Sequence, residues 1–186
     1  MGTDEGFLLV ATPQASGEHR ETVVLVAVHG EEGSLGFVLN RVSVRSFEEA
    51  AAELGIEAKL REDAPRHAHF GGLTRPDIGW MLFDARACIE PDDSCLLTPE
   101  VGVTAAPDAM STIVDTGGPA ILLLGHVTWE PGDLEDEIAA GAWIRAPRVD
   151  PRLVFETPLA RRWSDATCDV LGMPRPWLGV ARFAMA

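Results

Sequence analysis

One segment of the chain, TVVLVAVHGEEGSLGFVLNR at residues 22–41, constrains the fold more than any other. Residues 22–28 form a nearly continuous apolar run rich in β-branched side chains, which is typical of a strand covered on both faces. HGEEG follows as a turn in which Gly30 and Gly33 are free to take positive φ, and residues 35–39 return as a second strand. The segment therefore predicts a β-hairpin.

Further strands and helices follow without a regular order. Ser46 and Glu49 form a capping box that predicts a helix over SFEEAAAELG, which Gly55 can end. Thr157 as N-cap and Pro158 at the first helical position predict a last helix over TPLARRWSDATCDVLG. Other strands are predicted in HFGG, IGWMLFD, SCLLTPEVGVTAA, AILLLGH and AWIRA, and other helices in TAAPDAMSTIVDTGG and from Pro131 onward. Because strands and helices are mixed without regular β–α–β alternation, the sequence favours an α+β fold.

Charge is distributed unevenly along the chain, and this limits the partners that the protein can bind directly. The 186 residues carry a net charge of −14 and a single Lys. Residues 87–144 contain 11 acids and no Lys or Arg, whereas residues 145–186 carry 7 Arg against 4 acids. Because affinity for nucleic acid comes mainly from clustered Lys and Arg, direct DNA binding is disfavoured. The C-terminal arginines are expected to face the acidic middle of the chain or solvent.

Length and composition are those of one soluble domain, so residues 1–186 are interpreted as a single compact domain. No apolar run approaches the ~20 residues that are needed to cross a membrane. The opening residues MGTDEG carry acids where an export signal would carry Lys or Arg. Three cysteines without a C-x-x-C spacing indicate free thiols in a reducing compartment. We therefore expect a cytoplasmic protein without a membrane segment.

The stretch GHVTWEPGDLEDEI, residues 125–138, is the part of the chain that most resembles a chemical site, with five acids in eight positions. If a helix opens at Pro131, these acids meet the positive end of its dipole, where each contributes ~0.3–1 kcal/mol. This explains the cluster without catalysis, and the same acids disfavour an anionic ligand. A metal site is the alternative, because Asp133 and Glu137 form an i, i+4 pair with His126 upstream, but no full ligand set is visible.

Other motifs for catalysis or ligand binding are incomplete. EGSLG lacks the first Gly of the G-x-S-x-G nucleophile motif, and GEEGSLG matches neither the P-loop nor the dinucleotide fingerprint. His67 and His69 would project from the same side of a strand, but two histidines do not make a zinc site. Trp129 and Trp143 flank the acidic helix and either belong to the core or line a pocket. His29, in the hairpin turn, is expected to cap local backbone. No catalytic residue, metal or cofactor is predicted.

Five segments, taken in order, carry a family pattern. They are GFLLVATP at 6–13, TVVLVAVHGEEGSLGFVLNR at 22–41, FGGLTRPDIGWMLFD at 70–84, GHVTWEPGDLEDEIAAGAWI at 125–144 and FETPLARRWSDATCDVLG at 155–172. Their order and spacing resemble the AlgH/YqgE family of small bacterial proteins over nearly the whole chain. The resemblance implies a compact α+β domain with a mixed, partly barrel-like β-sheet flanked by helices. It implies no catalytic residues, and members are often labelled transcriptional regulators because of a genetic association with alginate control.

The resemblance also indicates which positions match the family signature and which depart from it. The matching positions are His29, Gly36, Asn40, Gly71, Gly72, Gly125, Trp129, Gly132, Leu134, Glu135, Glu137, Ile138, Trp143, Pro158, Arg162 and Trp163. Val42 and Leu73 stand where the family usually has Pro, and His126, Asp133 and Gly141 replace a usual Tyr, Gln and Asn. Three of these five departures fall in the acidic fourth segment, so a family function located there can be altered in this member.

Three functional hypotheses follow. The first is a cytoplasmic, non-enzymatic protein that acts through a protein or small-ligand partner, with at most an indirect influence on transcription. The second is an enzyme or metabolite-binding protein with a site near Gly71, His126, Trp129 and the acidic helix 131–140. The third is a direct DNA-binding regulator, which the net charge disfavours. The candidate ligand or partner surface consists of His29, Asn40, Gly71, Gly72, His126, Trp129, Glu135, Trp143 and Arg162.

Each hypothesis predicts a different structural feature. Action through a protein partner predicts an exposed apolar patch. An enzyme predicts a deep pocket that holds His126 and an acid with a strongly perturbed pKa. Direct DNA binding predicts a contiguous Arg surface built from residues 145–182.

Overall fold

The structure is a computed structural model that describes residues 6–56, 67–88, 90–174 and 177. Its strands are β1 Phe7–Ala11, β2 Val23–Gly30, β3 Gly33–Val38, β4 Val42–Ser46, β5 His67–Phe70, β6 Thr74–Asp84, β7 Ser94–Thr98, β8 Val101–Thr104, β9 Ala120–Trp129 and β10 Trp143–Arg145. Its α-helices are α1 Phe47–Leu54, α2 Pro107–Thr116, α3 Asp133–Ala139 and α4 Leu159–Leu171. A 3₁₀ turn lies at Gly17–His19 and a π-helical turn at Arg152–Glu156. The predicted α+β class is confirmed.

The chain divides into two compact units. The first consists of the chain up to Asn40 together with the chain from Thr128 onward, and the second is Arg41–Val127. The first unit is therefore assembled from two distant parts of the sequence, whereas the second is continuous. Among the described residues, no helix has the length and apolar character needed to cross a membrane. The interpretation of residues 1–186 as a single domain stays a prediction.

The first unit contains antiparallel strands in the order β10-β1-β2-β3. Every residue of β1 is buried, as are residues 23–26 of β2. α4 packs against β1 and β2 and supplies part of this cover. The continuous apolar run of the sequence thus forms a strand that is buried on both faces at residues 23–26, as its composition predicts.

The predicted β-hairpin is present, with a tighter turn than the sequence indicated. β2 extends to Gly30 and β3 begins at Gly33, and these two residues pair across the turn. Gly33 takes a φ of 108°, and a Cβ there would lie 2.4 Å from the carbonyl oxygen of Trp129. Gly30 does not take a positive φ. Only one of the two glycines therefore uses the conformational freedom expected of both.

The second unit contains a mixed sheet in the order β4-β5-β9-β6-β8-β7. β5 pairs with β9 in parallel, and the other neighbouring strands pair antiparallel. α1 and α2 contribute to its core, which includes Phe47, Met81, Phe83, Met110 and Ile113, each at most 4% exposed. The prediction of a mixed sheet with flanking helices is therefore confirmed within this unit.

The helix ends agree with the predicted caps in one case and differ in another. Ser46 and Glu49 form both hydrogen bonds of the capping box, and Gly55 ends α1 in the left-handed conformation, as predicted. The prediction that Thr157 is the N-cap of the last helix is wrong, because Pro158 occupies that position in α4. The hydroxyl of Thr157 instead donates to the carbonyl oxygen of Arg152, so the preceding π-helical turn engages this side chain.

Glycines allow the backbone to pack closely around β9 in the second unit. A Cβ on Gly71 would lie 2.3 Å from the carbonyl oxygen of Gly125, and one on Gly72 would lie 2.2 Å from that of His126. Gly125 itself has a φ of 71°, a backbone conformation that residues with a side chain rarely adopt. These glycines are therefore required by the contact between backbone segments.

Substitution of Gly71 by Ala should lower the free energy of unfolding by about 1–3 kcal/mol, because the new methyl group overlaps the Gly125 carbonyl and forces the backbone to shift. Gly30→Ala is the matched control, since a Cβ at Gly30 meets nothing within 4 Å. Urea unfolding compares the two variants with the parent protein. Equal free energies for Gly71→Ala and Gly30→Ala would contradict the close backbone contact.

Candidate functional site

A carboxylate of α3 lies between two tryptophan indoles in the first unit. The Oε2 atom of Glu137 accepts a hydrogen bond from Trp129 Nε1 at 3.0 Å and another from Trp143 Nε1 at 2.6 Å. Trp143 is 3% exposed, so its N–H group needs an acceptor within the protein. Glu137 thus ties α3 to the end of β9 and to the start of β10.

His19 extends this arrangement to the surface. Its Nε2 atom lies 3.9 Å from Oε1 of Glu137, and its ring meets that of Trp143 edge to face at a centroid distance of 5.0 Å. The side chains of His19 and Glu137 are 43% and 32% exposed. We refer to His19, Trp129, Glu137 and Trp143 as the Glu137 cluster, which joins four backbone segments and remains partly accessible to solvent.

The acids of α3 have two different roles. α3 begins at Asp133 with Gly132 as its N-cap, slightly later than the sequence indicated. Asp133, Glu135 and Asp136 lie in the first turn, as expected for a helix start whose dipole favours negative charge. Glu137 departs from that interpretation because it binds the two indoles. Among the residues that the structure describes, no three His, Cys, Asp or Glu side chains are grouped as a metal ion would require.

His29 contacts side chains, and the expectation that it caps local backbone is corrected. Its Nδ1 atom lies 2.8 Å from the Ser34 hydroxyl, and its ring meets Phe7 edge to face at 5.5 Å. Its Nε2 atom lies 3.5 Å from Glu135 Oε1, while the guanidinium carbon of Arg145 lies 3.8 Å from the centre of the Phe7 ring. The difference arises because the hairpin turn is short, so His29 lies in β2. Two predicted site residues, His29 and Glu135, are thereby brought together.

Asn40 holds the entry to β2 in an unusual conformation. Its Oδ1 atom accepts a hydrogen bond from the Val23 backbone N–H at 2.9 Å, and its Nδ2 atom donates to the Glu21 carbonyl oxygen at 2.7 Å. Glu21 has a φ of 53°, and such a conformation costs a non-glycine residue about 1–3 kcal/mol. Asn40 thus acts on the backbone, and this accounts for an amide side chain at the end of the hairpin.

Arg162 and Trp163 of α4 also bind backbone carbonyls. Arg162 is 3% exposed, and its guanidinium donates to the carbonyl oxygens of Leu39 and Thr157. Burial lowers the pKa of Arg162 to about 10. Trp163 donates from Nε1 to the carbonyl oxygen of Ala11 at 2.9 Å. These two side chains therefore satisfy acceptors at the ends of β1 and β3.

Three of the predicted site residues, Gly71, Gly72 and His126, belong to the second unit, and the remaining ones belong to the first. The two glycines act through backbone packing. His126 is 7% exposed, and its ring meets Trp80 edge to face at 5.8 Å. Its Nδ1 atom is buried and has no hydrogen-bond partner within the described residues. Burial lowers the pKa of His126, and the charge of Arg75 adds to that effect, so the neutral imidazole is favoured.

Exposed apolar side chains mark the second unit at β4. Val42 is 55% exposed and Val44 is fully exposed, and Leu73, which precedes β6, is 70% exposed. Within the described ranges, β4 pairs with β5 and with no other strand, so one of its edges is open. We refer to Val42–Ser46 with its unpaired side as the β4 edge. Val42 and Leu73 are also the two positions at which the sequence lacks the Pro of the resembled family.

Several of these contacts were missed by reasoning from the sequence. Trp129 and Trp143 stand on either side of an acidic helix in the sequence, and indole N–H groups need acceptors. This pattern could have predicted that an acid of the helix, here Glu137, accepts hydrogen bonds from both indoles. No local pattern indicated the contact of His19 with that cluster. The alternation in VSVRS was a signal for β4, but it does not reveal that the valines face solvent.

Comparisons with known proteins place the chain in a family. The family model described as DUF179, AlgH-like, matches residues 8–174. A UPF0301 protein of Methylococcus capsulatus is 30% identical, over 93% of this chain and 94% of that protein. A UPF0301 protein of Xylella fastidiosa is 32% identical, over 86% of this chain and 85% of that protein. The chain therefore belongs to the AlgH-like family, which confirms the resemblance found in its sequence.

Solved structures share the fold. The solution structure of the AlgH protein from Pseudomonas aeruginosa matches with a TM-score of 0.75 and 25% sequence identity, covering 96% of this chain and 97% of that one. The crystal structure of a protein from Corynebacterium diphtheriae matches with a TM-score of 0.68 over 98% of this chain and 92% of that one. The second similarity, at 23% identity, concerns the fold alone.

Replacing Glu137 by Ala should lower the free energy of unfolding by about 1–3 kcal/mol, because the buried N–H of Trp143 loses its acceptor. Glu137→Gln should cost less, since one carbonyl oxygen remains to accept. Asp136→Ala is the matched control, as it removes an acid from the same helix without touching an indole. Urea unfolding followed by tryptophan fluorescence measures all three variants. A loss in Asp136→Ala as large as that in Glu137→Ala would contradict the proposed role of Glu137.

The stability of the protein should fall on acidification in a manner that depends on His126. Because the folded pKa of His126 is lowered, the unfolded chain binds more protons once the pH falls below about 6.5, and folding is disfavoured from there down to the folded pKa. His126→Phe should remove this part of the pH dependence. His67→Gln, at an exposed histidine, is the control. Urea unfolding of the parent protein and both variants between about pH 5 and 7.5 tests this prediction. If stability depends on pH in His126→Phe as it does in the parent protein, the prediction is wrong.

Proposed function

We propose that this protein acts by binding a protein partner and that the partner adds an extended segment to the β4 edge. In this proposal the protein has no catalytic role of its own. Any influence on transcription is indirect and passes through the partner. The proposal rests on two features, which are the exposed apolar side chains of β4 and the acidic charge of the chain.

The observation that carries the proposal is the exposure of the two valines on an open strand. Val42 and Val44 are 55% and 100% exposed, and β4 pairs only with β5 in the part of the chain that the structure describes. Folded proteins usually protect such edges with charged side chains, Pro or bulges, because an unpaired strand pairs readily with another. The register of β4 shifts between Val42 and Ser46, yet both valines remain exposed. Arg45 is the charged residue of β4, and its guanidinium is paired with Glu53. A partner strand would cover the valines and pair with the open backbone.

Charge complementarity favours a partner with a basic segment. The net charge of the chain is −14. α1 packs against β4, and Glu48, Glu49 and Glu53 of that helix place negative charge near the strand. An extended segment that alternates apolar residues with Lys or Arg fits both the valines and the surrounding charge.

The alternative functions have less support. An enzymatic or metabolite site at His126 should place an acid beside it, but the charged group that acts on the pKa of this 7% exposed residue is Arg75. For a DNA-binding surface, arginines from residue 145 onward should be free. Arg145 instead covers an aromatic ring, Arg161 lies 3.6 Å from Asp165, and Arg162 is buried. Arg148 and Arg152 are exposed, and Arg175 and Arg182 lie outside the described residues. These observations favour binding to a protein.

A cytoplasmic location is part of the proposal. Cys88, Cys95 and Cys168 are free thiols. Free cysteines are typical of a reducing compartment, whereas exported proteins generally form disulfides. Fractionation of the source cells followed by immunodetection tests this part, and recovery outside the cytoplasmic fraction would contradict it.

Binding of synthetic peptides tests the partner surface. One peptide alternates Val with Lys over about eight residues, and the other alternates Val with Glu, so that both favour an extended strand. We expect the basic peptide to bind in a fluorescence anisotropy titration and the acidic peptide not to bind. Val44→Lys should weaken binding about tenfold or more, because it adds charge to the edge and removes the exposed apolar contact.

A second lysine variant separates strand pairing from general electrostatic attraction. Leu96→Lys makes the same charge change at an exposed residue of β7, so it should leave the affinity nearly unchanged. Amide hydrogen exchange in the complex should show new protection in residues 42–46. Equal losses in Val44→Lys and Leu96→Lys, or no new protection of β4, would overturn the proposal.

A further inference from the structure

The backbone of β4 directs hydrogen-bonding groups toward its open side. The Phe70 N–H donates to the Arg41 carbonyl oxygen at 3.0 Å, and Val42 lies opposite His69 in the register of β4 against β5. In an antiparallel ladder this bond makes Val42 and His69 a non-hydrogen-bonded pair, whose own N–H and C=O groups point away from the neighbouring strand. Val42 therefore offers both groups to a strand that adds to the β4 edge.

Val44 extends the same surface. Val42 lies opposite His69 and Ser46 opposite His67, so three residues of β4 face one residue of β5, and Val44 is the middle one. Its side chain is fully exposed. Because side chains and backbone groups repeat every two residues in a strand, Val44 presents them on the same sides as Val42.

Two other amides of β4 are already engaged. The Arg45 N–H donates to the Ser43 hydroxyl oxygen at 3.1 Å, and the Ser46 N–H donates to the Glu49 carboxylate at 2.9 Å. The amides of β4 that an added strand can use are therefore those of the two valines. A matching segment needs two apolar residues that are separated by one residue.

The same three residues of a second copy meet this requirement. If two β4 strands run antiparallel about a twofold axis at Ser43, Val42 of each copy lies opposite Val44 of the other. Each valine then exchanges N–H···O=C bonds with its counterpart, and the side chains of the opposite valines cover each other, since opposite residues share a face.

The charges of this strand suit contact between two acidic copies. Each copy carries a net charge of −14, so two copies repel each other at long range. β4 is locally basic, because Arg41 precedes it and Arg45 lies within it. In the twofold register Arg41 lies opposite Arg45 of the other copy, whose charge is neutralised by Glu53. Residues 41–45 also alternate arginine or serine with valine, which is the pattern expected of the proposed partner segment.

We propose that β4 of a second copy of this chain covers the β4 edge in the absence of the partner, and that the partner displaces it. The displacement step rests on the proposed function, whereas the dimer itself does not. Each copy protects the edge of the other from pairing with unrelated strands. The contact is small, so the dimer is weak and exchanges readily.

Sedimentation velocity of the full chain, over about 10 µM to 1 mM, tests for the dimer. We expect it to form with rising concentration and to strengthen as salt rises from about 0.02 to 0.3 M, because salt screens the repulsion between acidic chains. Val44→Lys should weaken dimerisation about tenfold or more, and Leu96→Lys, at an exposed residue of β7, is the matched control. A monomer at every concentration, or equal effects of the two variants, would overturn the inference.

Disulfide cross-linking tests the register. Ser43 lies opposite Ser43 of the other copy in a non-hydrogen-bonded pair, where the Cα atoms are about 4.5 Å apart and a disulfide can form. Ser43→Cys in a Cys95→Ser background, which removes the exposed thiol, should therefore give a covalent dimer on mild oxidation. Leu96→Cys in the same background is the control. Equal cross-linking of both variants would overturn the inference.

Competition separates this inference from the proposed function. The basic peptide of alternating Val and Lys should dissociate the dimer, because both occupy the β4 edge. A dimer that persists while the peptide binds would overturn the inference and leave the binding proposal standing. If the dimer behaves as expected but the peptide does not bind, the proposed partner is overturned and the dimer stands.

Discussion

The first unit depends on finding partners for the backbone groups at the ends of its buried strands, because an unpaired amide or carbonyl in the interior is costly. β1 ends at Ala11, and Leu39 follows the end of β3. Trp163 donates to the first of these carbonyls and Arg162 to the second, while Asn40 binds the backbone on both sides of the residue that precedes β2. The order of this end of the sheet therefore depends on these long polar side chains.

Elements with local causes could be predicted from the sequence, and contacts between distant residues could not. The apolar run at residues 22–28 and the capping box of Ser46 and Glu49 act within a few residues, so they are visible in the sequence. The hydrogen bond from Arg162 to Leu39 joins residues 123 positions apart and leaves no local pattern. At Thr157 a local signal gave a wrong prediction. The residue type favours an N-cap, but its hydroxyl binds the preceding π-helical turn, which hydrophobic periodicity does not reveal.

The candidate surface was predicted less well than the fold, and the family resemblance explains why. A family signature marks positions without separating residues that hold the backbone from residues that meet a partner. Gly71, Asn40 and Arg162 match the signature, yet each acts on main-chain groups in this structure. Val44 is not part of the signature. In a strand of alternating apolar and polar residues, the apolar side chains would ordinarily face the core. Only the folded arrangement reveals that its side chain is left in solvent.

The division of the chain has a consequence for the order of folding during synthesis. The second unit is continuous, so all of its residues leave the ribosome before those that follow Val127. The hairpin of β2 and β3 emerges earlier, but α4, which supplies donors for the neighbouring backbone, is the last of the described helices to be made. The apolar faces of the hairpin therefore stay uncovered by α4 until that helix has been translated. We expect this nascent hairpin to be the segment most in need of chaperone protection, since uncovered strands aggregate readily.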